Sequence, residues 1–341
     1  MHAITGLLAA ASISASPALA QDAGVPRLDV DLPVAAMLRV QTADEALARD
    51  AAEYARQFGV APEQAMLRLR AQEASVVDTD RLRALYRDRL AGISIEHSPD
   101  YRIVVLLTGD DVVPDQVLRS GGMSVPVLFR TGALATGDRV LAAIRTHQAA
   151  VRDRLASPPG MGLDPRTGEL VIVLSEPAAA GEDLEQLDDE LEALTGVSVR
   201  IRVVGSRSAD MAVEGGARME GIDPRDGRLY ACTAGFVVTK GDRTGVVTAA
   251  HCPDALTYHD PAGRRVPLDF VGEWGVAYQD VQVHLSPEAQ RPLFYADTAR
   301  RDLRALTGAR PRASTRAGDI VCRRGEATGY SCSQVELVDY A

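Results

Sequence analysis

The spacing of apolar and polar positions divides the chain into a first part with helical patterns and a last part with short strand-like runs. Thr42–Glu45 has the spacing of a capping box, and the alanine-rich segment after it reaches Gly59, a typical helix end. Helical spacing continues over Pro62–Gln72 and over Asp80–Leu90. The sequence therefore predicts three consecutive helices.

Strands follow these helices. Two apolar runs, Ile93–Glu96 and Arg102–Leu107, flank the turn residues Ser98–Asp100 and predict a pair of strands. Val125–Phe129 predicts a further strand, and Gly137–Leu155 has the apolar spacing of a helix.

A strand–helix–strand unit completes this first part. Glu169–Leu174 and Val197–Val204 predict strands, and the leucines of the acidic segment Leu184–Leu194 line one face of a helix. His97 falls in a turn and His147 on a helix, and we interpret both as solvated side chains. Nothing in this part predicts a catalytic site.

After Gly205 the pattern changes to short strands, glycines and turns, which is typical of an all-β sandwich or barrel. We place the boundary between about Gly205 and Gly216. The small, polar segment Ser206–Asp210 suits an exposed linker that a protease could cut.

The start of the chain predicts export. Ile4–Ala18 is apolar, and Ala18–Ala20 has the small-x-small pattern before a signal-peptide cleavage site, so we interpret residues 1–20 as a signal peptide. Its weak feature is the start, where His2 is the one basic side chain, and a buried N-terminal helix is the alternative. Since no other run approaches the roughly 20 apolar residues of a membrane span, we expect a secreted or periplasmic protein without a membrane anchor.

Charge argues against one class of partner. The 341 residues include 37 Lys and Arg against 47 Asp and Glu, a net charge of −10. Residues 211–341 hold 16 basic and 17 acidic side chains, so the excess of acid belongs to residues 1–210. Basic and acidic residues are interspersed and form no basic stripe, so we expect no nucleic-acid partner.

A predicted hairpin has a cysteine at each outer end. Cys232–Thr239 predicts a strand, Lys240–Arg243 a turn, and Gly245–Cys252 the returning strand. A disulfide between the two cysteines would close a loop of about 20 residues, contribute about 3 kcal/mol, and fix the loop that presents His251. By residue type, a zinc site is the alternative for Cys232, Cys252, His251 and His259, but an oxidising compartment favours the disulfide.

Residues Thr248–Cys252, together with Cys232, resemble the Thr-Ala-Ala-His-Cys box of the chymotrypsin-like serine proteases. The resemblance implies that His251 is the general base, which takes a proton from a serine and returns it to the leaving amine. A lone histidine would more often be structural, but the match of all five residues disfavours that interpretation here.

The same resemblance implies a carboxylate that orients the histidine. Asp280 is our candidate, because it directly precedes an alternating strand in which Val281, Val283 and Leu285 can face the core. It lies 29 positions after His251, a separation typical of the compact bacterial members. Four other acidic residues compete with it: Asp254, Asp260, Asp269 and Glu273.

Residues Cys322–Cys332 resemble the Cys-Arg-x-Gly-x-x-Thr-Gly-Tyr-x-Cys element of the streptogrisin and α-lytic protease branch, which implies a disulfide between Cys322 and Cys332. In that branch the nucleophile belongs to a later Gly-Asp-Ser-Gly-Gly motif. No Ser-Gly-Gly follows Cys332, and Ser314, Ser331 and Ser333 lack the glycines that shape an oxyanion hole. We therefore expect no nucleophile in this chain, which reads as truncated before that serine and as inactive.

The resemblance implies a fold and an organisation for the whole chain. Residues 211–341 are expected to form an all-β double Greek-key barrel protease domain with an incomplete second barrel. Residues 21–210 are expected to form an α+β pro region, a foldase and inhibitor of its own protease domain. Val213–Gly216 resembles the start of mature enzymes, which places cleavage between about Ser208 and Val213.

The expected activity is that of a serine endopeptidase precursor with protein or peptide substrates. We expect a monomer with no cofactor and no metal. Two alternatives stay open: a pseudoprotease whose barrel or pro region is a binding or inhibitory module, and an unrelated exported domain in place of the pro region.

Overall fold

The computed structural model describes residues 38–155, 159–205, 216–241, 243–259, 264–275, 280–287 and 290–340. The predicted signal peptide, the predicted linker and the predicted cleavage region between Ser208 and Val213 lie outside the described residues. Within the described part, the chain is mostly β-strand, arranged in several sheets, with fewer helices.

Residues 38–205, here called the N-terminal region, contain both helices and strands. The helices are α1 (Ala43–Phe58), α2 (Pro62–Ala74), α3 (Val76–Leu85), α4 (Gly137–Arg154), α5 (Glu176–Ala179) and α6 (Leu184–Thr195). The strands are β1 (Arg39–Val40), β2 (Leu90–Glu96), β3 (Arg102–Thr108), β4 (Gln116–Ser120), β5 (Met123–Ala133), β6 (Gly160–Asp164), β7 (Glu169–Ser175) and β8 (Val199–Val204). The sequence did not predict β1, β4, β6 or the short helix α5.

Local hydrogen bonds fix both ends of α1. The Thr42 hydroxyl accepts the backbone N–H of Glu45, whose carboxylate accepts the backbone N–H of Thr42. At the other end Gly59 adopts a φ of 65° while its N–H donates to the Ala55 carbonyl, a conformation that glycine takes without strain. The predicted helix is confirmed with these bounds.

The third predicted helix, Asp80–Leu90, is wrong at both ends. The helix begins at Val76 and ends at Leu85, and Leu90 opens β2. β2 is buried along almost its whole length, and burial on both faces favours a strand over an amphipathic helix. The polar residues before Leu90 continue the helical spacing, so the sequence gives no sign that the helix has already ended.

Two sheets organise the N-terminal region. The larger has the order β2-β3-β5-β4, in which β3 and β5 are parallel and the other neighbours are antiparallel. The smaller has the order β6-β7-β8, and its parallel pair β7 and β8 is connected through α6. Leu187 and Leu191 of α6 are buried in the core beside this sheet, which confirms the predicted strand–helix–strand unit.

Residues 216–340, here called the C-terminal region, consist mainly of strands. They are β9 (Arg218–Ile222), β10 (Leu229–Thr233), β11 (Val237–Lys240), β12 (Arg243–Thr248), β13 (Thr257–His259), β14 (Arg265–Pro267), β15 (Asp269–Trp274), β16 (Val281–Leu285), β17 (Leu293–Tyr295), β18 (Asp302–Ala305), β19 (Ile320–Gly325) and β20 (Gly329–Gln334). The sheets have the orders β10-β9-β13-β14, β11-β12-β16-β15 and β19-β20, while β17 and β18 pair with β1 in a further sheet.

One apolar core joins the two four-stranded sheets of the C-terminal region. Met219 and Tyr258 from one sheet and Val246 from the other belong to it, together with Leu293 and Leu303 from β17 and β18. The prediction of a mainly β region after residue 205 is therefore confirmed at this level.

The predicted strand Cys232–Thr239 is two strands. β10 ends at Thr233 and β11 begins at Val237, and the two belong to different sheets. Between them the Gly235 N–H donates to the Val247 carbonyl at 2.7 Å, and a Cβ on Gly235 would lie 2.6 Å from a Val247 methyl carbon. The glycine thus allows the backbone to cross β12 closely and change sheets.

The described residues between 38 and 340 belong to one compact unit, and the N-terminal and C-terminal regions bond directly to each other. β1 runs parallel to β18, and Leu163 exchanges two backbone hydrogen bonds with Val338 at 3.0 and 2.9 Å. Ile320 packs with Tyr54 and other apolar residues of α1 and α2.

His97 lies in this contact, so the prediction of a solvated His97 is wrong. Its side chain is 5% exposed, its Nε2 donates to the Gly318 carbonyl at 2.7 Å, and its Nδ1 bonds the Tyr54 hydroxyl at 2.7 Å. Arg68 donates to the carbonyl of His97 at 3.0 Å. The local turn sequence gives no sign of this burial, since Gly318 is 221 positions away. His147, also predicted to be solvated, is half-buried on α4.

Candidate functional site

The loop that follows β12 presents His251. One hydrogen bond and one disulfide attach this loop to a neighbouring strand. The Thr248 hydroxyl, at the end of β12, donates to the Thr233 carbonyl at 2.7 Å. The predicted disulfide between Cys232 and Cys252 is present, with a Cα–Cα distance of 6.3 Å. Both links attach the loop to the end of β10.

The pairing of β12 with β16 brings Asp280 to the same place. These strands are antiparallel, with Thr248 opposite Gln282. Continuing this register by two residues places Asp280 opposite Ala250, the neighbour of His251. The separation of 29 positions between His251 and Asp280 therefore follows from the strand register.

His251 and Asp280 meet through two hydrogen bonds. The His251 Nδ1 lies 2.9 Å from one carboxylate oxygen of Asp280, and the His251 backbone N–H donates to the other at 3.3 Å. With the proton on Nδ1 directed at the carboxylate, the neutral ring carries its lone pair on Nε2. This is the tautomer in which an imidazole accepts a proton through Nε2.

Both side chains of the pair are accessible to solvent. The exposed fractions are 53% for the His251 side chain and 57% for that of Asp280. An exposed ion pair contributes at most about 1 kcal/mol to stability. The pair is therefore placed to react with molecules from solution, while the backbone around it has to maintain its geometry.

A cavity of about 560 Å³ opens at this pair, and four carboxylates are among the residues that line it. Asp223, Asp254 and Glu273 line it in addition to Asp280, and Arg225 is the cation among them. Arg225 donates to both carboxylate oxygens of Asp223 and holds the pKa of that carboxyl below its ordinary value. The electrostatic character of the cavity is therefore anionic around His251.

The competing acids take other positions. Asp254 and Glu273 line the cavity, and Asp269 lies opposite Leu285, at the end of β16 away from Asp280. Asp260 lies outside the described residues. Among the candidates, Asp280 is the carboxylate at hydrogen-bonding distance from Nδ1 of His251.

The predicted inner face of β16 is wrong. Gln282 and His284 are fully buried, while Val281 is 39% exposed and Val283 and Leu285 are half-buried. Cross-strand neighbours share one face of a sheet, and Gln282 and His284 lie opposite Thr248 and Val246 of β12, which are buried. The alternating pattern predicted the strand correctly. Taking its apolar residues as the buried ones assigned the wrong face to the core.

Gln282 and His284 were not predicted as residues of the site. Gln282 Nε2 donates to the carbonyls of Cys252 and Pro253, which directly follow His251. Neither ring nitrogen of His284 has a hydrogen-bond partner among the described residues, and burial lowers its pKa. Polar residues at alternate positions right after the candidate aspartate were the signal that could have identified them.

Trp274 pairs with Val281 at the end of β15 and is 48% exposed. In the sequence it lies between Glu273 and Gly275, which both line the cavity.

The hairpin of β19 and β20 carries the second predicted disulfide. Cys322 lies opposite Cys332, with a Cα–Cα distance of 4.0 Å. Arg324 of the hairpin is buried and donates to the Gly216 carbonyl and to Glu326. Gly216 has a φ of 88°, and a Cβ there would lie 2.9 Å from the Arg324 side chain, so only glycine fits closely here.

The three serines considered as nucleophiles lie elsewhere. Ser314 is buried and donates to Asp80 at 2.7 Å, while Ser331 and Ser333 are on β20 opposite Arg323 and Val321. None of the three lines the cavity at His251 in the described part of the chain.

The zinc alternative loses two ligands. Cys232 and Cys252 are joined to each other, so neither sulfur is a thiolate, and His259 bonds Glu220 at 2.8 Å through Nε2. Over the residues that the structure describes, no helix has the length and apolar character needed to cross a bilayer.

Comparison of this chain with protein-family models gives no match, and comparison with curated proteins gives none either.

Proposed function

We propose that this chain is part of the precursor of an exported serine endopeptidase of the chymotrypsin-like family. One observation carries the proposal: His251 Nδ1 lies 2.9 Å from Asp280, within a loop whose sequence is Thr-Ala-Ala-His-Cys. The disulfide to Cys232 that accompanies this box in the family supports the same assignment.

The chemistry assigned to the pair is proton transfer. Nε2 of His251 takes the proton of a serine hydroxyl as that oxygen attacks a peptide carbonyl, and then gives it to the leaving amine. Asp280 keeps the other ring proton on Nδ1 and stabilises the positive charge of the imidazolium. Asp254 and Glu273 line the same cavity, and their negative charge favours a cation on the ring.

The double Greek-key barrel is part of this proposal. The core shared by the two four-stranded sheets supports a first barrel, and the disulfide-bonded hairpin β19–β20 supports the beginning of a second one. The two disulfides also support export to an oxidising compartment, secreted or periplasmic.

A pro-region role is proposed for the N-terminal region. Its helices α1 and α2 pack on Ile320, and its residues Ser94 and Leu163 bridge to Ala317 and Val338. These contacts favour a foldase or inhibitor that binds the segment leading into and out of the β19–β20 hairpin.

The test of catalysis uses the gene beyond codon 341. We expect a Gly-Asp-Ser-Gly-Gly motif there, and hydrolysis of a protein substrate by the longer product. Asp280→Asn should lower kcat by about 10⁴-fold, the size of this effect in the family, because the histidine would then favour the wrong tautomer. Asp269→Asn, at the far end of the strand pair, is the matched control and should retain activity.

The 341-residue chain itself should neither hydrolyse the substrate nor cut its own linker. Self-processing of this chain, purified in the presence of protease inhibitors, would contradict the assignment. A longer product whose hydrolysis survives His251→Ala would contradict it as well.

The contacts between the two regions favour one second candidate, a binding or inhibitory module without catalysis. Residues 21–210, expressed separately, would then bind a completed protease domain and slow its hydrolysis. A stop codon directly after codon 341 favours this candidate, whereas failure to accelerate the refolding of a completed protease domain favours an unrelated exported domain.

A further inference from the structure

Gln282 is a buried amide at a position where the strand pattern predicts a solvent-facing residue. It lies two residues after Asp280 and is fully buried, on the inner face of β16. Moving an amide out of water costs free energy unless hydrogen bonds replace those that water supplied. Its Oε1 has no hydrogen-bond partner among the described residues, so the contacts of its Nε2 indicate what its burial achieves.

The amide group bridges β16 and the loop that carries His251. Its Nε2 donates to the Cys252 carbonyl at 3.3 Å and to the Pro253 carbonyl at 3.5 Å. From the same strand end, Asp280 accepts the backbone N–H of His251. One short piece of chain thus holds the loop at three successive residues.

The exposure of the pair explains why such a bridge is needed. More than half of the His251 and Asp280 side chains is in solvent, so their mutual attraction is screened and weak. The geometry between them must then come from the backbone. The Cys232–Cys252 disulfide fixes the loop to β10, but it does not link the loop to β16, which directly follows Asp280.

We propose that Gln282 is a positioning residue for the His251–Asp280 pair. The ladder of β12 and β16 brings the loop and the strand together, and the two hydrogen bonds of Gln282 hold the residues after His251, so the ring keeps its alignment with the carboxylate of Asp280. The inference rests on the proposed function only for the chemistry that the pair performs; the positioning itself is a property of this chain.

The experiment follows the Nδ1 proton of His251 by NMR in the complete 341-residue chain. A proton held between imidazole and carboxylate resonates at low field and exchanges slowly with water, and this signal depends on the geometry of the pair. The carbonyl carbons of Cys252 and Pro253 report the bridge itself. Amide spectra and unfolding curves verify the fold of each variant.

Gln282→Met keeps the length of the side chain and removes its donors. Exchange of the Nδ1 proton should become about fivefold to tenfold faster, as expected from the loss of one net hydrogen bond, and both carbonyl signals should shift. Gln282→Asn keeps an amide that is one methylene too short to reach both carbonyls. It should have the same effect in smaller measure, and it covers the case in which Gln282→Met does not fold.

His284→Phe is the matched control. His284 shares the inner face of β16, is equally buried, and has no hydrogen-bond partner among the described residues. This variant should leave the Nδ1 signal unchanged.

Three outcomes would overturn the proposal. They are unchanged exchange in the folded Gln282 variants, an equal effect of His284→Phe, and the absence of a slowly exchanging His251 proton in the parent chain. A longer gene product without hydrolytic activity would instead overturn the proposed function and leave the positioning role intact.

Discussion

His251 and His97 have different environments, which suit the same type of side chain to different roles. His251 is half exposed and bonds a carboxylate, so a positive charge can form on its ring and be stabilised. His97 is buried against a hydroxyl and a carbonyl, and its Nε2 must keep its proton to donate to Gly318. Arg68 beside it further disfavours a second proton. The first histidine suits proton transfer and the second suits a neutral structural role.

His97 predicts a pH dependence of stability. Burial lowers the pKa of His97 below its ordinary value of 6.5, although the hydrogen bond to Gly318 and the charge of Asp319 oppose the shift. The unfolded chain therefore binds a proton at a higher pH than the folded chain. The free energy of unfolding should fall as the pH drops below about 6.5, and this group should have no effect above that pH.

Urea unfolding of the parent and His97→Gln at about pH 5 and about pH 7.5 measures this linkage. The difference between the two pH values should be smaller in His97→Gln. His147→Gln is the control, since His147 is half-buried on the surface helix α4. Equal pH dependence in the parent and in His97→Gln would argue against the role of His97.

Removing each of the two disulfides in turn tests how single strands and loops support the site. They close loops of 20 and 10 residues, so loss of either should lower the free energy of unfolding by about 3 kcal/mol in the chain-entropy description. Their effects on the site should differ, because only the Cys232–Cys252 bond holds the His251 loop. Replacing both cysteines of that pair by alanine should speed exchange of the His251 Nδ1 proton.

Replacing Cys322 and Cys332 by alanine should destabilise the protein without changing that exchange. Chemical denaturation and the NMR signal of His251 distinguish the two effects. If both double variants altered the signal equally, the site would depend on global stability and not on the local link.

The elements that could be predicted are those that local chemistry determines. The capping box of Thr42 and the glycine at residue 59 fix α1, and the spacing of leucines fixes α6. The inner face of β16 could not be predicted, because the partners that justify a buried Gln282 are carbonyls some 29 and 30 positions earlier in the chain. Residue type alone favours burying Val281, Val283 and Leu285.

The same reason limits prediction at the scale of the whole molecule. Arg316 and Asp319 are fully buried and bond each other, while Ser75 and the Gln72 carbonyl of the N-terminal region accept from Arg316. Nothing near residue 316 in the sequence marks an arginine for burial. Only the docking of α2 and α3, more than 230 positions earlier, removes it from water.

This buried pair predicts a large effect of a single substitution. Arg316→Met should lower the free energy of unfolding by about 3 kcal/mol, the lower end for breaking a buried ion pair, because Asp319 would lose Arg316 but keep the bond from Arg310 at 3.0 Å. Arg81→Met is the control: Arg81 also bonds an aspartate three positions away, but its side chain is 75% exposed, so little change is expected. Urea unfolding of both variants tests the contrast, and similar stabilities would contradict it.

The single tryptophan of the chain has an optical consequence. Trp274 is half exposed and lies in the sequence between Glu273 and Gly275, two residues that line the cavity containing His251. Its indole therefore samples a mixture of water and protein, and a molecule that displaced this end of β15 on entering the cavity would change that mixture. The emission of the unlabelled chain, excited so that tyrosine does not contribute, should thus respond to such a displacement, readable by titration without any knowledge of turnover.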